Sequence, residues 1–228
     1  MYSFICRPSW NSRWNKYMKL QLFFEKRQYI QSNDFRIIGG QAADPGEYPW
    51  QVLLVELVYN YTTQQNTYNN ICGGTLIQAQ WVITADHCIE HYSWRYQIVL
   101  GGYISPPDYQ QNRPPNPFTD EKVKLVDRIF RHPIGGFLAY DIALLKMSSR
   151  VTYGPKIFPA CVPGPDYKFQ TLKTVTTTGW GFVKSDPLSL LPTELQELEL
   201  KIENRAYCES YIRTGCSAGN MLAITSVF

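Results

Sequence analysis

The chain of 228 residues is 44% hydrophobic, 14% aromatic and 18% charged, which excludes a disordered polymer and supplies a sizeable core. Its formal net charge of +3 is too small to argue for nucleic acid. No stretch reaches the ~18 consecutive apolar residues that a membrane span needs. The charge is also uneven. Residues 1–36 hold seven Lys or Arg against two acids, and the remainder holds 15 against 17, so the positive balance belongs to a basic N-terminal leader. That leader shows no clean period. From Ile37 onward the character changes to strands, expected over Val52–Val58, Thr75–Ile77, Trp81–Thr84, Gln97–Leu100, Lys122–Ile129, Ile142–Lys146, Val175–Thr178 and Leu195–Ile202. These runs are short, rich in β-branched and aromatic residues, and bounded by turn residues. Gly-Gly pairs at 39–40, 73–74, 101–102 and 135–136 are expected to punctuate them. Pro-rich surface loops are expected at 105–117 and over Cys161–Tyr167, and a short helix over Asn204–Arg213. The pattern is all-β, with a sandwich and a barrel both open.

Six Cys and three His carry the chemistry worth weighing. Cys72 and Cys88 bracket a strand-like run with no second ligand pair, so a disulfide in an oxidising compartment is a better reading than zinc. Asn60-Tyr61-Thr62 matches the N-glycosylation sequon, a short pattern that also arises by chance. His87 ends the run Trp81-Val82-Ile83-Thr84-Ala85-Asp86-His87-Cys88, where a strand feeds directly into an imidazole. A general base needs such a firm hold. Asp141 stands immediately before an apolar strand, and a carboxylate there needs a hydrogen-bond partner. A His is the natural one, because the pair also fixes the ring tautomer. Taken singly, each residue has a dull structural explanation. His91 lies four residues after His87, but Cys88 stands where an H-E-x-x-H zinc motif needs glutamate, so no metal is expected. His132-Pro133 reads as structural.

Taken together, the segments resemble the trypsin and chymotrypsin family of serine proteases. The resemblance runs from Ile37 to about Leu222. It rests on Arg36 followed by Ile37-Ile38-Gly39-Gly40, Tyr48-Pro49-Trp50-Gln51, Cys72-Gly73-Gly74-Thr75-Leu76-Ile77, the His87 segment, Asp141-Ile142-Ala143-Leu144-Leu145 and Thr178-Gly179-Trp180-Gly181, in the family's order. It implies two Greek-key β-barrel halves, with His87 as general base and Asp141 as its orienting acid. Cys72 would be bridged to Cys88 beside the His. Arg36–Ile37 would be the zymogen cleavage bond, which makes residues 1–36 a pro-segment and 37–228 the protease domain. Cys161 would correspond to a Cys that tethers the pro-segment in some members, with Cys6 as its candidate partner, although Cys6 reads equally well as free. The resemblance implies a protein or peptide substrate, no cofactor and secretion. The N-terminal residues carry charges where a signal peptide needs an unbroken apolar core.

The family's nucleophile lies in Gly-Asp-Ser-Gly-Gly, and that segment does not occur in this sequence. After Asn220-Met221-Leu222, where the family usually has a Cys to bridge back to Cys208, the chain reads Ala223-Ile224-Thr225-Ser226-Val227-Phe228. Cys208 is left with Cys216 or nothing. The expectation is therefore a C-terminally truncated domain with an incomplete second barrel, inactive as written. The alternative is a non-catalytic protease homologue that acts as a binding or regulatory module for a protein partner. Gly215-Cys216-Ser217-Ala218-Gly219 fits G-x-S-x-G, but no acid or His follows Ser217 as that fold requires, so Ser217 is read as a loop serine. Asp86 departs from the small residue that the family usually carries before its His. It could raise the pKa of His87, compete with Asp141 for the ring, or point to solvent.

Overall fold

A computed structural model of the chain describes residues 39–61, 64–102, 123–133, 140–162, 174–181, 192–203 and 223–225. Among the described residues there are ten strands and two single-turn 3-10 segments. The strands are β1 (Gln41–Ala42), β2 (Gln51–Asn60), β3 (Gln65–Gln78), β4 (Trp81–Thr84), β5 (Tyr96–Leu100), β6 (Val123–Arg131), β7 (Ala143–Met147), β8 (Thr174–Gly179), β9 (Gln196–Glu203) and β10 (Ala223–Thr225). The two turns are Asp86–Cys88 and Ser93–Arg95. Strands β2–β3–β4–β7–β6–β5 close into a six-stranded antiparallel barrel. In the second half β8 lies along one edge of β9, while β1 and β10 share the other. Closure resolves the choice between sandwich and barrel. It removes every sheet edge from the first half, and the second half is an open four-stranded sheet among the described residues.

The barrel interior is filled by Val52, Leu54, Leu76, Val82, Ile98, Leu100, Leu145 and Met147, each at most 1% exposed. The β2 run Val-Leu-Leu-Val has no hydrophobic alternation, and the fold gives the reason. Val52 and Leu54 point into the barrel, whereas Leu53 and Val55 point outward and are covered together with Val99 by Trp180. A strand buried on both faces reads as a continuous apolar run. The halves are stitched nearby by the Thr178 hydroxyl donating to Gln51 Oε1 at 2.8 Å and by the Tyr48 hydroxyl donating to Glu197, while the Ala43 N–H, donating to Leu195 O, continues the β1–β9 ladder within the second half. Burial, and then the bond to Glu197, push the Tyr48 phenol far above its ordinary value, so it stays a donor.

One expectation needs correction. Strand β3 begins at Gln65, ten residues before the expected Thr75, and Gly73-Gly74 lies inside it rather than ending a strand. Its first residues are polar, so no apolar run marks them. They are strand because they pair with β2 almost residue for residue, from Asn60↔Gln65 to Gln51↔Thr75. Gly74 is required by close approach: a Cβ there would stand 2.9 Å from Val82 Cγ1 and 3.1 Å from Ile83 O. Gly74→Ala should therefore destabilise the fold by about 1–3 kcal/mol through overpacking. A lowered urea midpoint with an unchanged slope would show it, and an unchanged midpoint would refute it. The loop at 105–117 and the helix expected over Asn204–Arg213 lie outside the described residues, as does most of the loop over Cys161–Tyr167.

Candidate active site

Strand β4 ends at Thr84, whose hydroxyl donates to Gly73 O at 2.8 Å. Ala85 continues extended, and the chain then tightens into the Asp86–Cys88 turn. Cys88 is disulfide-bonded to Cys72 of β3, with Cα atoms 6.1 Å apart, so the turn is anchored from both sides of His87. Asp141 arrives from elsewhere in the sequence. Thr84 pairs with Ala143, which brings the residues after β4 and those before β7 to one end of the barrel. Tyr140 turns the chain there in the left-handed region, at φ 59°, and the Ile142 N–H donates to its carbonyl at 2.7 Å.

The result is a two-point clasp. Asp141 Oδ2 stands 2.6 Å from His87 Nδ1, and its Oδ1 accepts the His87 backbone N–H at 2.9 Å. The backbone of Asp86 also donates to this carboxylate. Burial pushes the Asp141 carboxyl up, but the hydrogen bonds from the ring and the two backbone amides outweigh it and hold the group below its ordinary value. A lowered folded value means that the carboxylate stabilises the fold above its ordinary value of 3.8, and that this stabilisation is lost as pH falls through the folded value. Asp141→Asn should accordingly be less stable than the parent at pH 7, with the difference shrinking toward zero on acidification below that value. Denaturant midpoints measured at both ends of this range check it, and a difference that grows toward low pH would contradict it.

The other ring nitrogen, Nε2, lies 3.7 Å from Cys88 Sγ. That sulfur is joined to Cys72, so the three residues Cys72, His87 and Cys88, though close together, offer no thiolate to a metal. Asp86 neither competes for the ring nor simply points to solvent. Its carboxylate turns to Arg131 of β6, with Nη1–Oδ1 at 3.3 Å. His91 likewise turns away from His87 and pairs with Glu56 at 3.2 Å, where Arg95 Nε also lies 3.5 Å from the same oxygen. The Tyr96 hydroxyl accepts the backbone N–H groups of Glu90 and His91, both at 2.8 Å, and braces the segment after the disulfide. His132 stacks on Tyr140, with ring centroids 4.2 Å apart and planes 7° from parallel. Cys161 is disulfide-bonded to a partner outside the described residues. Asn60 ends β2, but its side chain is outside them, and so are Arg36, Ile37, Cys6, Cys208, Cys216 and Ser217. The residues that sequence reasoning missed are Arg131 and the amides of Asp86 and His87. Backbone donors carry no side-chain signal, and Arg131 is 45 positions from its partner.

The trypsin family model matches residues 37–226. The chain belongs to the trypsin family. The match extends past the expected limit at Leu222 to include β10, which pairs with β9 over Glu203, Ile202 and Lys201. Among curated trypsin-like relatives, ovochymase-2 of Mus musculus is 34% identical over 182 residues, covering 78% of this chain and 27% of the relative. Testisin of Homo sapiens is 32% identical over 181 residues, covering 76% and 52%. The suppressor of tumorigenicity 14 protein homolog of Bos taurus is 31% identical over 179 residues, covering 76% and 19%. The chain thus spans between a fifth and about half of the length of these relatives. Among solved structures, neuropsin, a serine protease of mouse brain, superposes with a TM-score of 0.63 at 25% identity, over 83% of this chain and 75% of neuropsin. No helix among the described residues is long and apolar enough to cross a membrane.

Proposed function

We propose that this chain carries the base and the orienting acid of a trypsin-like endopeptidase centre. The observation behind this reading is the 2.6 Å contact between His87 Nδ1 and Asp141 Oδ2, reinforced by the second carboxylate oxygen on the His87 amide. A carboxylate on Nδ1 keeps the proton there and leaves Nε2 as the acceptor that takes a proton from a nucleophilic hydroxyl. The same carboxylate stabilises the imidazolium that then forms. On this reading residues 1–36 are a pro-segment released by cleavage at Arg36–Ile37, and the protein acts outside the cell, where the Cys72–Cys88 bridge persists.

The polypeptide of this sequence is proposed to be catalytically silent by itself, because Gly-Asp-Ser-Gly-Gly does not occur in it. The second reading, a non-catalytic homologue that binds a protein partner, draws on the same fact. One experiment separates them. The chain is extended past Leu222 by a family-type segment carrying that motif and cleaved at Arg36–Ile37. It should then hydrolyse a peptide amide, with kcat falling on the order of a million-fold in His87→Ala. Hydrolysis that is indifferent to His87→Ala would overturn the base assignment. A folded extended chain without activity would favour the binding module.

A further inference from the structure

Two carboxylates neighbour His87, Asp86 within the Asp86–Cys88 turn and Asp141 just before β7, and Asp141 is the one bonded to the ring. Asp141 reaches Nδ1 from two residues before β7. Asp86, directly bonded in sequence to His87, is drawn the other way. Arg131 Nη1 lies 3.3 Å from its Oδ1 and 3.4 Å from its Oδ2. The guanidinium is itself fixed, because Nη2 donates to the Ile89 carbonyl just past the turn. The strand register explains how a distant residue arrives here: Arg131 is paired with Ala143, and Ala143 with Thr84, so β6, β7 and β4 bring all three abreast below the turn. The Asp86 side chain is only 13% exposed. Its Oδ1 is buried and accepts no hydrogen bond among the described residues, so the guanidinium is the group there that offsets its charge. A buried carboxylate deprived of its cation turns to the nearest proton source. The residue bonded to Asp86 in sequence, His87, carries an imidazole that is one such source.

We infer that Arg131 is a positioning residue that holds the Asp86 carboxylate off His87, so that Asp141 alone pairs with the ring. The two acids and two bases at this end of the barrel are thereby sorted into two pairs, Asp141–His87 and Asp86–Arg131. Without Arg131, Asp86 is a second anion beside the imidazole. That anion favours the protonated ring and offers it a competing hydrogen bond, and a ring that is already protonated cannot act as a base. The inference rests on the reading of His87 as base, but its readout is the imidazole itself and needs no peptidase activity.

The test is a pH titration of the ring nitrogens by long-range 15N–1H NMR. Only three His are present, so His91→Gln and His132→Gln assign His87. Of the charged groups around the ring, Asp141 meets Nδ1, and Asp86, next in sequence, is paired with Arg131. Glu56, His91 and Arg95 form their own group, and Glu90 contacts this region through its backbone bond to Tyr96. Arg131→Ala should raise the His87 midpoint by about one pH unit, roughly a tenfold gain in proton affinity. The double variant Asp86→Ala/Arg131→Ala should restore the parent value, which a merely structural role in bracing Ile89 would not do. Asp86→Asn should lower the midpoint, because the Arg131 charge is then left unmatched beside the ring. An unchanged midpoint in folded Arg131→Ala, or a double variant that stays raised, overturns the inference. If Arg131→Ala does not fold, Asp86→Asn decides: a fall supports charge sorting, and no change or a rise refutes it. Asp141→Asn is the separate control, since a midpoint it leaves unmoved defeats the base–acid reading whatever Arg131 does.

Discussion

The polypeptide of this sequence should take no fluorophosphonate label at any serine, before or after cleavage at Arg36–Ile37. Labelling needs a hydroxyl within hydrogen-bond reach of Nε2, about 2.6–3.2 Å, and oxyanion donors to hold the charged intermediate. Cys88 Sγ lies 3.7 Å from Nε2, but a disulfide sulfur is no such nucleophile. The family places its serine in a motif that this sequence does not contain. Removing the nucleophile alone costs on the order of a million-fold in kcat, which puts the reaction below detection over an ordinary labelling time. Ser217, in its G-x-S-x-G setting, is the decoy to control. Label that survives removal of the activating protease and disappears in Ser217→Ala would prove the prediction wrong.

Removing the Cys72–Cys88 bridge should cost about 3 kcal/mol of stability, the closure entropy of a loop of this length. The bridge joins residues 16 apart in sequence, and it ties β3 to the turn that presents His87. Cys72→Ala/Cys88→Ala should therefore unfold at a markedly lower urea concentration. The His87 amide, whose partner is Asp141 Oδ1, should exchange faster with solvent than the amides of β2 and β5. This second readout separates loss of local anchoring from a uniform drop in stability. A midpoint shift equivalent to less than about 0.5 kcal/mol, the scale of ordinary surface substitutions, would mean that the barrel alone holds the turn.

Some features were legible because they are local. The runs expected as strands at Gln97–Leu100 and Ile142–Lys146 lie within a residue of the bounds of β5 and β7, since β-branched and aliphatic side chains must be buried wherever the chain places them. His87 and Asp141 stood out because each sits at the end of such a run. The first residues of β3 were not legible. Gln65–Asn70 owe their conformation to six of the ten residue pairs between β3 and β2, and nothing in their side chains announces those pairs. The double burial of β2 was visible as an unbroken run, but its cause, Trp180 from the other half, was not.

By itself, the sequence determined the strand-rich class, the ordered motifs that mark the family, and the candidate base and acid. Each of these is written in residue types and their neighbours. Barrel closure, the 2.6 Å approach of Asp141 to His87 and the diversion of Asp86 to Arg131 were decided only by tertiary structure. The physical reason is register. Pairing Thr84 with Ala143, and Ala143 with Arg131, sets three distant segments side by side, and electrostatics then sorts the charges that register has brought within reach.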